Sequence, residues 1–278
     1  MLSGKRAGFW YSINSGVHCV RLLMIGDIVG RPGRRSVKQN LPDLINEFAI
    51  DIVIANGENA AGGNGITKEV AQELFSCGVN VITMGNHVWN QREIYTYINQ
   101  EARIIRPANY PPGAPGQGSG IFKTKSGIEI GVINISGRVF MQELDCPFRS
   151  ADKLVIQLRE KVDIIIIDFH AEASSEKIAM GWYLDGRVSA VCGTHTHVQT
   201  ADERILPEGT AFITDVGMTG PRNSVIGVKK EPVIEKFLTQ MPRRFEVAEG
   251  LYQFNAVLID IDEETGHAKY IERVQNYE

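Results

Sequence analysis

The histidines of this chain gather where apolar runs end. "GTHTHVQTADE" (193–203) carries His195 and His197 as an H-x-H pair, "IIIIDFHAE" carries His170, and "VITMGNH" carries Asn86 and His87. Only two of the six histidines, His18 and His267, lie elsewhere, so the residue is not serving as surface filler. Asp27 follows "LLMIG", and Glu58 and Asn59 follow "IVIANG", in the same way. Imidazole nitrogens mixed with carboxylate and amide oxygens suit borderline divalent cations such as Mn, Fe, Zn or Co better than a thiolate site does. The candidate ligands Asp27, Glu58, Asn59, Asn86, His170, His195 and His197 outnumber those of one tetrahedral ion. Two ions sharing a bridging carboxylate fit that number.

Every one of these residues also has an ordinary explanation. Asp27, before a Gly-rich turn, could cap the next helix. Glu58 and Asn59 could bind loop backbone, Asn86 in "MGNH" could occupy a left-handed turn position, and His170 could be a satisfied core histidine. An H-x-H pair by itself is a weak signal. Together the ordinary explanations require five separate coincidences, one at each strand end, and the convergence favours metal.

The elements that must deliver these residues alternate. "RLLMIGDIVG" reads as a buried strand, and "GRRSVKQNLPDLINEFA" follows with Val37, Leu41, Leu44, Ile45 and Phe48 on one helical face. Next come the strand "IDIVIANGEN", a short helix "TKEVAQELFSCG" with Thr67 as N-cap and Gly78 past its end, the strand "VNVITMGNH" and a third helix, "QREIYTYINQ". This rhythm predicts an α/β fold with a parallel sheet, and the carboxyl ends of such strands line the functional crevice. "RPANYPPGAPGQGSG" (106–120) then interrupts as an ordered, Pro-rich wall. "GIFKTKSGIEIGVINISG" reads as a hairpin turning at Ser126–Gly127. A helix near "SADKLVIQLREKV", the buried strands "DIIIIDFHAE" and "VSAVCGTHTH", and a last hairpin turning at Thr265–Gly266 complete the pattern. No repeat or composition shift marks a boundary, so residues 20–278 read as a single domain with two sheets. Residues 1–19 read as an extension from an overlong gene, with the native start at Val20.

Composition narrows the class. Of 278 residues, 43% are hydrophobic and 22% charged, as in ordinary globular proteins, and the net charge of −4 gives no sign of a nucleic-acid-coating or membrane-surface protein. No apolar run approaches the ~20 residues of a membrane span. Four cysteines without C-x-x-C spacing (Cys19, Cys77, Cys146, Cys192) read as reduced, mostly buried thiols of a cytoplasmic protein.

The motifs "GDIVGRPGR", "NGENAAGGNGIT", "MGNHVWN", "RPANYPPGAPGQG" and "DFHAEASSEKIAMGWYLDGRVSAVCGTHTHVQTADERILPEGTAFITDVGMTG", in this order, resemble the bacterial YmdB-like metallophosphoesterases of the wider calcineurin-like group. The likeness runs from about Val20 to the C-terminus. It implies a four-layer metallophosphoesterase sandwich, two mixed β-sheets flanked by helices. The wider group's D-x-H and G-D motifs are altered here, with Val29 at the place of the first histidine and "GEN" at the second. The resemblance implies that Glu58 bridges two divalent ions, Fe or Mn foremost, with Zn, Mg or Co as alternatives. On that pattern Asp27, Glu58, Asn59 and His197 hold one ion and Glu58, Asn86, His170 and His195 the other, with His87 as proton donor. Asp is expected in this branch where the chain has Asn90, which leaves the support for His87 open.

Two dications against the two carboxylates Asp27 and Glu58 leave a positive excess that attracts a phosphodiester anion. Paired ions acidify a bridging water and clamp phosphoryl oxygens during in-line attack, while His87 protonates the departing oxygen. The resemblance implies a phosphodiesterase acting on cyclic nucleotides, 2′,3′-cyclic phosphates above all, with a role in RNA turnover. It also implies self-association and leaves room for an RNA or protein partner. The rival readings are a phosphomonoesterase or nucleotidase using the same metals, and a metal-binding regulator without catalysis; an intact His87 argues against the latter. Arg34 or Arg35 could contact phosphate, although exposed helix charges are the default. Trp89, Tyr110 and Trp182 could stack on a base, although core packing is the default, with Met180 and Trp182 expected against the sheet.

Overall fold

The computed structural model describes residues 19–278. The extension expected over residues 1–19 therefore lies outside the described residues, apart from Cys19, which pairs with Asp262 in a strand. From there the chain forms β1 (Cys19–Ile25), β2 (Asp27–Ile28), α1 (Gly30–Glu47), β3 (Ile52–Asn56), α2 (Lys68–Ser76), β4 (Val81–Thr83), α3 (Ile94–Tyr97) and β5 (Ile104–Ile105). The hairpin β6 (Ser119–Lys123) and β7 (Glu129–Ser136) follows, then α4 (Pro147–Arg159), β8 (Ile164–His170), α5 (Ser174–Leu184) and β9 (Ala190–Thr194). The last part holds β10 (Arg204–Ile205), β11 (Ala211–Ile213), β12 (Met218–Pro221), α6 (Lys230–Thr239) and the hairpin β13 (Tyr252–Asp262) and β14 (Ala268–Tyr277).

Side chains alternating along each strand divide the interior into three seams. In β1, Leu23 and Ile25 face Val37, Leu41 and Leu44 of α1, while Leu22 and Met24 face the other sheet and meet Ile130, Val132, Ile164 and Ile166. In β8, Ile165 and Ile167 turn the other way, toward Val155 and Leu158 of α4 and Met180 and Leu184 of α5. Helices, sheet, sheet and helices thus make a four-layer α/β sandwich. Burial on both faces is why these strands read as unbroken apolar runs. The larger sheet has the order β2-β12-β13-β1-β3-β4-β5 with β14 paired to β13, and the smaller has β10-β11-β9-β8-β7-β6. Both are mixed, since β1 is parallel to β3 but antiparallel to β13, and β7 is parallel to β8 but antiparallel to β6.

Several local expectations hold. Thr67 Oγ1 accepts a hydrogen bond from Val70 N at 3.2 Å as the α2 cap, and Gly78 follows with φ +109°, a left-handed position suited to glycine. In the Pro-rich wall Arg106 donates to the carbonyls of Pro107, Ala114 and Pro115, and Asn109 donates to those of Ser136 and Asp145. Others need correction. The third helix is only Ile94–Tyr97, far shorter than "QREIYTYINQ" suggested. Of the four cysteines, all free, only Cys192 is buried. Helices α5 and α6 had no counterpart in the sequence pattern. No described helix is long and apolar enough to cross a membrane.

Candidate metal centre

The carboxyl ends of β1, β3 and β4 in one sheet and β8 and β9 in the other converge. His170 is the last residue of β8 and Asp27 opens β2, while Glu58, Asn59, Asn86, His195 and His197 follow the ends of β3, β4 and β9. Two groups of donor atoms result, Glu58 with His170 and His195, and Asp27 with Glu58 and His197; within each, the atoms lie within 4.8 Å of one another. Glu58 belongs to both. Its Oε2 is 3.3 Å from His170 Nε2, which is in turn 3.0 Å from His195 Nδ1 and 3.1 Å from Asn86 Oδ1. His197 Nε2 lies 3.8 Å from Asp27 Oδ1.

Asp27 supplies the test of whether these residues suit a cation. Its Oδ2 accepts from His195 N at 3.1 Å, but its Oδ1, fully buried and aimed into the cluster, has no hydrogen-bond partner. A buried carboxylate oxygen without a donor is costly unless a positive charge meets it. Divalent cations with mixed nitrogen and oxygen ligation fit this donor set.

Each imidazole is aimed by a partner on its far side. Thr194 Oγ1 donates to Asp168 Oδ1 (2.6 Å), so it accepts from His170 Nδ1 (2.9 Å) and leaves the Nε2 of His170 toward the cluster. His195 Nε2 lies 3.1 Å from Glu172 Oε2, which leaves Nδ1 facing inward. His197 Nδ1 donates to Ile226 O at 2.8 Å, which leaves Nε2 facing Asp27. Outer partners that fix the tautomer in this manner are typical of metal-binding histidines. Asp168 also accepts from Asn56 and Thr83 of the facing sheet, so the network ties the two sheets together behind His170. Asp168, Thr194 and Glu172 were missed in the sequence; the available signal was a carboxylate inside the apolar run "IIIIDF".

The H-x-H turn is strained and braced. His195 (φ 101°) and His197 (φ 68°) both lie on the left-handed side, at a cost of roughly 1–3 kcal/mol each. Between them, Thr196 donates through N (3.0 Å) and Oγ1 (2.7 Å) to Asp215 Oδ2, which also binds Lys177 Nζ at 2.6 Å. Lys177 and Asp215 are both buried. On the opposite wall, Gly85 has no room for a side chain, because a Cβ there would stand 2.2 Å from Glu58 Oε2 and 2.4 Å from His170 Nε2.

His87 borders the cluster and is partly exposed. Its Nδ1 lies 2.9 Å from Asn59 Oδ1 and 3.4 Å from Glu58 Oε1. Asn59 directs its nitrogen to Glu58 Oε1 (2.9 Å) and His197 Nε2 (3.2 Å), so its oxygen serves His87. For Asn59 to be an oxygen ligand its amide would have to turn over, which a bare carboxylate opposes and a cation between the oxygens favours. Asn90 binds Asn64 through its side chain, so the orienting contact on His87 comes from Asn59.

Other candidates lie outside the cluster. Arg34 is a structural brace, donating to Glu73 and to Ala60 O, and Arg35 approaches Glu278. Trp89 packs edge-on against Tyr95 and Tyr110. Met180 is buried as expected, but Trp182 is half-exposed beneath the Arg204 guanidinium, contrary to its expected burial against the sheet. Cys192 lies in the seam between the sheets, where burial raises its thiol pKa, and it belongs to neither donor group.

Charge in the polypeptide alone is arranged around His170. Burial raises Asp27 to about 6 against the pull of His197 and His170. Burial also works to raise Glu58, but the charge and hydrogen bond of His170, with help from His87, hold it well below the usual carboxylate range. Burial works to lower His170, yet Glu58, Asp27 and Asp168 raise it to about 9. His195, buried and beside that charge, is pushed down to about 3. The protein alone thus balances its buried carboxylates with a proton on His170, and cation binding would have to expel that proton.

Known proteins share both the sequence and the fold. The family model described as YmdB-like protein matches residues 23–274. A Bacillus subtilis (strain 168) protein named 2′,3′-cyclic-nucleotide 2′-phosphodiesterase is 51% identical over 255 residues, covering 92% of this chain and 96% of its own. A crystal structure of a hypothetical protein from Thermus thermophilus superposes with a TM-score of 0.88 at 42% identity, covering 93% of this chain and all of that one. A crystal structure described as a novel phosphatase, from Mycoplasma pneumoniae, superposes with a TM-score of 0.88 at 36% identity, covering 94% of each chain.

Proposed function

The chain belongs to the YmdB-like family, and from that premise and the geometry of its cluster we propose a dinuclear-metal phosphodiesterase acting on 2′,3′-cyclic nucleotides. The observation that carries the reading is Glu58, a single buried carboxylate common to two separate donor groups. Asp27 and His197 would complete one site, with Asn59 once its amide has turned; His170, His195 and Asn86 would complete the other. Fe or Mn are the cations of first choice, with Zn, Mg or Co as alternatives, of which oxygen-preferring Mg suits the three imidazoles least. When bound, such cations supply Lewis-acid activation of water and neutralise charge on phosphoryl oxygens.

The chain's own groups do the rest. With the Asn59 amide turned, its nitrogen faces His87 Nδ1, which accepts and leaves the proton on Nε2, the atom from which it would pass to the departing ribose oxygen. Thr194, backed by Asp168, and Glu172 face the outer nitrogens of His170 and His195. The inner nitrogens would be free for a cation once His170 has given up its second proton, and Lys177–Asp215 holds the turn between His195 and His197. The relative's name supports a cyclic nucleotide substrate, and the free cysteines suit a reducing cytoplasm.

The test is hydrolysis of 2′,3′-cyclic AMP by chelated and then Mn- or Fe-reloaded protein, beside His87→Ala with its metal content measured. Metal-dependent turnover in the wild type, and a loss of roughly 10²–10⁴-fold in a fully metallated His87→Ala protein, are expected. A wild type that holds two metals and cleaves neither this substrate nor a generic diester would remove the reading.

A further inference from the structure

One wall of the cluster has no role in the chemistry above. Asn86 and His195 share a cavity of about 150 Å³ with Phe140, Met141 and Gln142. Phe140 is 90% exposed and has φ 61°, a backbone position that bulky side chains avoid. The stretch leading to it is fastened: the buried Glu176 carboxylate accepts from Arg138 N at 3.1 Å and Val139 N at 3.2 Å. Gln142 is fixed too, since its Oε1 accepts from Tyr110 OH at 3.0 Å and Tyr110 packs edge-on against Trp89. That contact occupies the acceptor of Gln142 and leaves its Nε2 hydrogens as donors.

Resting on the phosphodiesterase reading, we propose that residues 138–142 form the seat of the substrate's nucleobase. Phe140 offers its ring face for stacking, Met141 lines the cavity, and Gln142 Nε2 donates to an acceptor on the base. The cavity is smaller than the roughly 300 Å³ of a pocket that encloses a whole small molecule. It therefore takes the base, while Asn86 and His195 on its inner wall place the phosphate beside the cluster. Stacking is tolerant of sequence because every base has a π-face. The seat thus selects nucleoside cyclic phosphates over cyclic phosphates without a base, and does not select strongly among bases.

The experiment compares the wild type, Phe140→Ala and Phe140→Trp on 2′,3′-cyclic AMP and on glycerol 1,2-cyclic phosphate, which keeps the five-membered diester and has no base. In Phe140→Ala the ratio of kcat/KM for nucleotide over glycerol diester should fall about tenfold, through KM, and Phe140→Trp should keep the ratio. Phe140 is too exposed for its replacement to unfold the chain. An unchanged ratio in Phe140→Ala overturns the seat while leaving the diesterase intact. Calorimetry on Mn-loaded protein with 3′-AMP and with inorganic phosphate reads the seat by binding, without turnover. If the wild type cleaves neither cyclic substrate, the diesterase reading falls, and a loss of 3′-AMP affinity in Phe140→Ala that exceeds any loss for phosphate still upholds the seat. Equal 3′-AMP affinities in the two proteins, or no 3′-AMP binding by the wild type, overturn it.

Discussion

The two sheets furnish the cluster with different chemistry and secure it by different means. The eight-stranded sheet brings the oxygens of Asp27, Glu58 and Asn86, with the Asn59 amide beside them, and the six-stranded sheet brings the nitrogens of His170, His195 and His197. On the oxygen side, backbone does much of the positioning. Glu58 N donates to Asn56 Oδ1 at 3.1 Å, His87 N donates to Glu58 Oε2 at 3.1 Å, and Gly85 lets the chain pass against both Glu58 and His170. On the nitrogen side each ring needs its own acceptor, supplied by Thr194 with Asp168, by Glu172 and by Ile226 O. The contrast follows from the ligands. A carboxylate has two equivalent oxygens and accepts over a wide angle, whereas a neutral imidazole has one lone pair and offers it only in the correct tautomer.

The largest expected effect breaks the symmetry between the sides. Glu58→Gln removes the one donor common to both groups, so metal content after dialysis should fall nearly to zero. Hydrolysis should fall more than about 100-fold, beyond the 10–100-fold typical of losing an outer partner. His197→Ala removes a donor from one group only and should keep part of the metal. Equal metal content in Glu58→Gln and wild type would show that the two groups do not share a carboxylate.

A smaller effect sharpens the claim that the nitrogen side depends on buried polar support. Lys177→Met leaves Asp215 buried and charged beneath the strained H-x-H turn, and should cost about 3–5 kcal/mol of stability in urea unfolding. The paired change Lys177→Met with Asp215→Leu removes both charges. It should recover part of that loss, yet without Thr196 fastened it should bind metal less well than the wild type. A Lys177→Met protein as stable as the wild type would mean that Lys177 contributes nothing to holding the turn.

How much of this was legible follows the same division. The ligands themselves could be read because each ends an apolar strand, and a strand buried on both faces advertises its own end. The hairpins, the Thr67 cap and the α1 face were legible for similarly local reasons. Helix α5 was not, because "SSEKIAMGWYL" buries polar Glu176 and Lys177 with Met180 and leaves Trp182 exposed, so no apolar stripe appears. Helix α6 buries only Val233 and exposes Phe237 and Leu238, the reverse of the expected pattern. Strands of two or three residues, such as β2, β5 and β10, are too short for alternation to show. The outer network was illegible because its pairs are long-range: nothing local joins Lys177 to Asp215, or Asp168 to Asn56 across the sheets. Asp168 and Asp215 did leave one trace, a lone carboxylate in an apolar run.

The two sides meet at His170, whose proton makes the comparison measurable as a pH effect. In the polypeptide alone His170 is raised to about 9 and Asp27 to about 6. A cation needs both groups deprotonated. Between pH 6 and 9 binding therefore releases one proton, and affinity should rise about tenfold per pH unit; below 6 Asp27 adds a second proton and a steeper slope. The stability of the metal-free protein runs the other way. A histidine raised above its unfolded value contributes stability that is fully present below about 6.5 and is lost as pH rises through 9. Asp27, also raised, loses its contribution earlier, as pH rises from 3.8 through about 6. The gap in Tm between Mn-loaded and chelated protein should accordingly widen from pH 6.5 to pH 8.5, where scanning calorimetry can follow it. A gap that stays constant or narrows would mean that no proton leaves His170 when the cation enters, and that the imidazole is not where the oxygen and nitrogen sides join.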